Sequence, residues 1–264
     1  MHCNTCGLVL RRGVLTESEF DREPVIHGRR PAFWERRKTA VKYLIAGAAL
    51  APVFGFTPIL QFMGWFLASL FHETGHCAVA WAAGCPSFPA IRLDGHAAAV
   101  HGDQHAFLCV IVWGTLAWLA WQCRHRRRSA WVFGGLACAY PLIVFTGARE
   151  VLFLTSGHLG ELAFATIAFH RALCGGFTNS KPERVLYAVV GWYLLGRNLW
   201  LTGGLMFDDA ARAEYAGTGS FGLTNDYLRL ANDHLHVGLE AVAALMFLVA
   251  LAVLPIAWRL SRPS

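Results

Sequence analysis

The feature that most constrains this chain is an H-E-x-x-H motif, which lies inside an apolar segment at about 58–83. Histidines four residues apart project from one face of an α-helix, so His72 and His76 can reach the same metal ion. Glu73 follows the first histidine and is placed to act as a general base toward a water molecule. Because such groups are costly in hydrocarbon, their presence in a segment of membrane-spanning length indicates a functional site.

The composition predicts a membrane protein rather than one or two soluble domains. The 264 residues are 55% hydrophobic and 15% charged, with a mean hydropathy of +0.41, whereas soluble proteins carry about 25% charged residues. The net charge of +6 is concentrated in short basic clusters. That pattern favours membrane lipids as partners and argues against nucleic acid.

Apolar runs of spanning length predict an all-α polytopic membrane protein with about six to seven transmembrane helices. The polar segment 84–105 predicts a short hairpin or re-entrant loop after the H-E-x-x-H helix. The runs lie at about 40–57, 58–83, 106–122, 130–147, 150–174, 184–206 and 237–258.

The predicted bundle, 40–258, is preceded by a polar basic N-terminal tail, 1–39, and followed by a short basic tail, 259–264. The N-terminal tail carries a C-x-x-C, Cys3 and Cys6, which is either half of a second zinc site or a pair of reactive thiols in a flexible segment. No disulfide framework is expected among the eight cysteines.

The basic cluster before the first run predicts a cytosolic N-terminus in a multi-pass protein of the bacterial inner (plasma) membrane. A second basic run, 124–128, would then lie outside if all seven segments crossed. Either the segment 40–83 does not cross twice, or a later segment is re-entrant.

A second polar group occurs in the fifth run, where His158 and Glu161 share a helix face. Gly157 and Gly160 form a neighbouring stripe of small residues, which allows another helix to approach closely. A catalytic zinc ion takes three protein ligands and keeps one open position. We therefore expect Glu161 or His158 to be the third ligand, with the other supporting it; the alternative is a structural hydrogen-bonded pair.

Two aspartates are further candidates for the third ligand: Asp94, in a predicted loop, and Asp226, just before the last run. Arg197 interrupts the sixth run, and an intramembrane arginine usually pairs with a carboxylate, here Glu161 or Glu150. The alternative is that Arg197 snorkels to the membrane surface.

Together, the sequence Phe71-His72-Glu73-Thr74-Gly75-His76 and the small, apolar residues that follow it resemble the site-2-protease family of intramembrane zinc metallopeptidases. The resemblance covers about a tenth of the chain. Within the family, the chain is similar to the small members without a PDZ domain. It implies that His72 and His76 are zinc ligands and that Glu73 is the base. The family usually takes an aspartate from a D-G motif on a later helix. Here the D-G lies early, at Asp94, and the later helix carries G-H-x-G-E.

The sequence thus predicts a zinc-dependent membrane endopeptidase that cleaves transmembrane or membrane-anchored proteins. One alternative is a non-proteolytic metal-binding membrane protein with a degenerate site. A weaker alternative is a histidine-box iron oxygenase, since His101 and His105 have the same spacing as the first pair, although adjacent paired histidines are lacking. The sequence predicts neither the substrate nor the oligomeric state.

Overall fold

The computed structural model describes residues 33–91, 97–174, 180–217 and 225–261, with side chains from residue 40 onward. The described residues from 37 onward belong to one compact unit. The predictions for Cys3, Cys6 and Asp94 lie outside the described residues.

The chain is mainly helical, with one two-stranded sheet, in agreement with the predicted all-α class. A 3₁₀ turn, Ala51–Gly55, follows the first helix, and a π-helical turn, Leu230–Leu235, precedes the last. The strands are β1 (Ser87–Ile91) and β2 (Ala97–His101). The helices are α1 (Phe33–Leu50), α2 (Pro58–Ala82), α3 (Ala106–Gln122), α4 (Arg127–Val144), α5 (Ala148–Cys174), α6 (Lys181–Phe207), α7 (Asp209–Gly217), α8 (Asp226–Arg229) and α9 (Leu239–Leu260).

Local signals define the H-E-x-x-H helix, α2. Thr57 caps its start, where the hydroxyl accepts a hydrogen bond from the amide of Leu60 at 3.2 Å, and Pro58 occupies the first turn. Gly84, with φ of +80°, follows its end, a conformation that favours glycine. The predicted tail boundary at residue 39 differs from the structure, because α1 already begins at Phe33 within a helix-favouring charged stretch.

Helices α2, α5, α6 and α9 form an antiparallel core. The Phe71 and Phe164 rings stack at 4.0 Å, whereas His76 contacts Phe153, so α2 and α5 run in opposite directions. At the other end of α5, Arg184 of α6 donates hydrogen bonds to the carbonyl oxygens of Ala172 and Leu173. The core is lined mainly by small and aliphatic side chains from these four helices.

Segment 84–105 contains the predicted hairpin. Strands β1 and β2 pair antiparallel, with Pro89 opposite Ala99, and both strands contact α2. Helices α3 and α4 form a second hairpin, in which the Trp113 indole donates to the Ala137 carbonyl at 2.9 Å. Tyr140 connects this hairpin to the core by donating to the Ala82 carbonyl at 2.8 Å.

By length and composition, α5 and α9 are the two helices able to cross a membrane among the described residues. The count is three if residues 40–54 and α2, bent by 111° at their junction, form one broken span. This test supports fewer crossings than the predicted six to seven. The polar motif lowers the hydropathy of α2, and charged residues do so in α4 and α6. Helix α3 is apolar but, with 17 residues, is too short to be counted.

Candidate metal centre

Two glycines bring α2 and α5 into close contact at the motif. A methyl group added to Gly75 would lie 2.1 Å from the Ser156 carbonyl oxygen, and one added to Gly160 would lie 2.8 Å from the Gly75 Cα. The backbones therefore touch, as the small-residue stripe on α5 predicts. This approach brings the side chains of both helices to one buried point.

Three donor atoms meet at that point. His72 Nε2, His76 Nε2 and Asp226 Oδ2 lie 3.1 Å from one another along all three edges of a triangle. In a tetrahedral zinc site with bonds of 2.0–2.1 Å, ligand atoms lie about 3.3 Å apart. The spacing therefore suits one small ion, and the geometry gives the third position to Asp226, which α8 carries to the end of α2.

Both histidines are held by their other ring nitrogen. His72 Nδ1–H donates to Glu161 Oε1 at 2.9 Å, and His76 Nδ1–H donates to the Phe153 carbonyl oxygen at 2.8 Å. Because a carboxylate and a carbonyl accept hydrogen bonds, the Nδ1 atoms carry the protons and both Nε2 lone pairs face Asp226. Histidine ligands of metals are usually oriented in this way.

The facing lone pairs repel one another unless positive charge lies between them. Without a metal ion that charge is a proton: burial alone would raise the pKa of Asp226, but hydrogen bonds to His72 and His76 outweigh it and lower the pKa. Gly157 leaves room for an ion, because a methyl group there would lie 2.4 Å from His72 Nε2 and 2.5 Å from His76 Nε2. The donor set and the space both fit a metal ion.

Glu161 supports the triangle from behind. Its side chain is 1% exposed, and while one oxygen accepts from His72, the other accepts from Asn198 Nδ2 at 2.9 Å and Arg197 Nη1 at 3.2 Å. The sequence predicted that either Glu161 or His158 is the third ligand and that the other supports it. The structure places Glu161 against the outer nitrogen of His72, and the predicted Arg197–Glu161 pair is present.

His158 lies beside the triangle rather than in it. One ligand atom of His158 lies within 4.8 Å of ligand atoms of His72 and Asp226. We assign the third corner to His76 because its Nε2 lies 3.1 Å from both His72 Nε2 and Asp226 Oδ2. His158 Nδ1 donates to Asn198 Oδ1 at 3.3 Å, and its ring packs against Tyr227. The Tyr227 hydroxyl is buried without a hydrogen-bond partner among the described residues.

Glu73 is buried on the same face of α2, 7% exposed, and interacts electrostatically with His72, His76 and Asp226. Its carboxylate accepts a hydrogen bond from the backbone of Ala99 in β2. The β-hairpin therefore lies over Glu73, the predicted general base. This places Glu73 next to the donor triangle without making it one of the three corners.

The other candidates lie elsewhere. His101 is exposed at the end of β2, with its ring 5.2 Å from Phe153, and His105 precedes α3. Glu150 pairs with Arg149 at 3.2 Å instead of with Arg197. The six described cysteines are free. Sequence reasoning missed Ser156 and the Phe153 carbonyl as supports of His76, and the only available signal was their position two and five residues before His158.

No family model, curated protein or solved structure matches the chain. The geometry of this site is therefore what indicates a function.

Proposed function

We propose that the protein is a zinc-dependent endopeptidase of the membrane, similar in chemistry to the site-2 proteases. The observation that carries the proposal is the triangle of His72 Nε2, His76 Nε2 and Asp226 Oδ2, with edges of 3.1 Å. Two imidazoles and one carboxylate are a common ligand set of catalytic zinc. Three ligands leave a fourth position for a reactant.

A zinc ion held there would supply Lewis-acid activation of a water molecule and of the peptide carbonyl. Glu73 takes the proton of that water and passes it to the leaving amine, which its burial beside the triangle allows. Glu161 holds His72 in orientation through Nδ1, and the Phe153 carbonyl does the same for His76.

The proposed substrates are transmembrane or membrane-anchored proteins. Cleavage requires an extended backbone, since a helix uses its own carbonyl groups in hydrogen bonds. Strand β2 supports this, because it pairs with β1 alone among the described strands and the backbone of Ala99 contacts Glu73, which brings a strand next to the general base. Six long antiparallel helices with apolar outer faces, α2 to α6 and α9, support a multi-pass arrangement. The bacterial inner membrane stays a prediction.

Metal content is the first test. We expect about one zinc ion per chain in detergent-purified protein carrying Cys3→Ser and Cys6→Ser, as three-ligand sites require. Zinc should be lost in the double variant His72→Ala, His76→Ala. Iron in place of zinc would favour the oxygenase, and no bound metal would contradict the proposal.

Activity is the second test. Glu73→Gln should keep zinc but lose cleavage of a membrane-anchored reporter, because an amide cannot accept the proton. The matched control is Glu214→Gln, which changes an exposed glutamate on α7; this variant should cleave the reporter normally. Cleavage by Glu73→Gln at the wild-type rate would exclude this mechanism.

One observation favours a second candidate, a non-proteolytic metal-binding protein. A His158 nitrogen lies within 4.8 Å of the His72 and Asp226 donors, so a small shift would make it a fourth ligand and close the site. X-ray absorption spectroscopy of the zinc-loaded protein separates the candidates. Three histidine ligands indicate the closed site, and two indicate the open one.

A further inference from the structure

The charged residues of this protein are divided between the two ends of its helical bundle. Because α2, α5, α6 and α9 alternate in direction, the C-terminus of α2 lies at the same end as the N-terminus of α5. The C-terminus of α6 and the N-terminus of α9 also lie at that end, where Arg212 pairs with Glu240. We call this the acidic end, and we call the opposite end the basic end.

The basic end is almost entirely cationic. Among the side chains described from residue 40 onward, Glu183 is its one acidic group. Arg184 lies 4.3 Å from the ring of Tyr43, which places this part of α1 there as well. Its cations are Lys42, Arg124, Arg126, Arg127, Arg128, Arg171, Lys181, Arg184 and Arg259.

The acidic end has the opposite balance. Its described cations are Arg149, Arg212 and Arg229, and all three are paired with carboxylates. The acids outnumber them, and most are exposed: Asp103, Glu150, Asp208, Asp209, Glu214, Asp233 and Glu240. The four other described charged residues, Glu73, Glu161, Arg197 and Asp226, belong to the metal site and its supports.

Helices α3 and α4 give the basic end the features of a membrane surface. The loop between them is exposed and carries Arg124 and 126–128. Trp121 and Trp131 flank it and are 65% and 72% exposed, and Arg124 lies 4.6 Å from the Trp121 ring. Exposed tryptophans beside basic residues are typical of the level of the lipid headgroups.

The bend between α1 and α2 bears on the charge pattern, in which the basic run 124–128 would lie outside if all seven predicted segments crossed. Helix α1 contacts the first half of α6, where Gly47 meets Ala188 and the Trp192 indole donates to the Leu44 carbonyl. By length and composition, residues 40–54 and α2 together count as at most one span. With one crossing, the start of α1 and the 124–128 loop lie on the same side.

We propose that the basic end binds the anionic phospholipid headgroups of the cytoplasmic leaflet and that the metal centre lies nearer the opposite leaflet. Clusters of arginine and lysine bind this negatively charged surface. His76 lies about 9 Å from the C-terminus of α2 and about 27 Å from its N-terminus, at 1.5 Å per residue. The site and the β-hairpin are thus close to the acidic, outward side.

Cysteine labelling tests the orientation, independently of metal or activity. His125→Cys marks the basic end and Glu214→Cys the acidic end; both positions are exposed. A membrane-impermeant maleimide added to intact cells should label Glu214→Cys and leave His125→Cys at the background of the unsubstituted chain until the cells are lysed. The reverse pattern, or equal labelling of both, would overturn the assignment.

Lipid retention tests the partner. Purified protein in mixed micelles should retain phosphatidylglycerol over phosphatidylcholine, and salt should weaken this preference. Changing Arg124, Arg126, Arg127 and Arg128 to Gln should lower it by roughly tenfold or more, whereas changing them to Lys should preserve it. Equal preference in the two quadruple variants would overturn the proposed headgroup contact.

Discussion

At the residue scale, the site depends on a missing side chain. Gly157 faces the two Nε2 atoms, and a Cβ there would lie within 2.5 Å of both, in the space that a bound ion would need. From sequence, Gly157 reads as a helix-packing residue, which is the usual role of small residues on such a stripe. In the structure, Gly157 instead lies directly opposite the Nε2 atoms of His72 and His76.

Gly157→Ala should therefore abolish zinc binding while leaving the helix intact. The methyl group would lie 2.4 Å from His72 Nε2, and alanine favours a helix over glycine by about 1 kcal/mol. Zinc content and circular dichroism measure the two effects. Gly196→Ala on α6, which meets no described atom within 4 Å, should bind zinc normally; normal binding by Gly157→Ala would contradict the site.

Asp226 and Glu161 should respond differently to removal of their charge. Asp226→Ala removes a ligand, so we expect zinc to be lost. Glu161→Gln keeps the shape and removes only the support of His72, so zinc affinity should fall by roughly 10–100-fold. Competition with a fluorescent zinc chelator measures both. The opposite order would show that Glu161 is the ligand, one of the two options that the sequence predicted.

At the scale of elements, the α2–α5 contact unites the site. Its glycines, Gly75 and Gly160, allow backbone contact, and the stacked rings of Phe71 and Phe164 continue the interface one turn away. The position of His72 and His76 relative to α8 depends on the separation between α2 and α5. A small separation of the two helices would move His72 and His76 away from Asp226.

Gly75→Ala should lower the stability of the protein as well as its zinc content. The methyl group would meet the Ser156 carbonyl oxygen at 2.1 Å, and backbone atoms cannot yield as a flexible side chain does. We expect a loss of roughly 1–3 kcal/mol, typical of overpacking, in denaturant unfolding of the detergent-solubilised protein. Gly134→Ala, whose added methyl group meets no described atom within 4 Å, should unfold like the wild type.

These elements also show what the sequence could predict. The period of the motif and the glycine stripe on α5 were sufficient to predict that the two helices pack through small residues. The sequence offered Asp226 only as a further candidate beside Asp94, because it lies 150 residues after His76 on a four-residue helix whose direction is set by tertiary packing. Glu161 was the stronger expectation because its i, i+3 pairing with His158 is visible in sequence.

At the scale of the whole molecule, apolar side chains cover the outer surface. Trp118 and Trp131 are 57% and 72% exposed on α3 and α4. The sequence predicted more spanning helices than the length-and-hydropathy test supports, because polar groups at a site lower the hydropathy of the helices that carry them.

Lipids with brominated chains should quench most of the tryptophan fluorescence if these faces contact hydrocarbon. Trp118→Phe and Trp131→Phe should each remove part of the quenched emission. Trp192→Phe should remove mainly unquenched emission, because that indole is bonded to Leu44 and packed on Phe169. Emission that brominated lipids leave unchanged would place these surfaces outside the bilayer.

The separation of the ligands along the chain has a consequence for biosynthesis. His76 leaves the ribosome 150 residues before Asp226, a delay of roughly 10–30 s at 5–20 residues per second. During that time the base and two imidazoles are present without their third partner. On the proposed function, a newly made copy would be inert until Asp226 has emerged, and neighbouring membrane proteins would be protected from an unfinished peptidase.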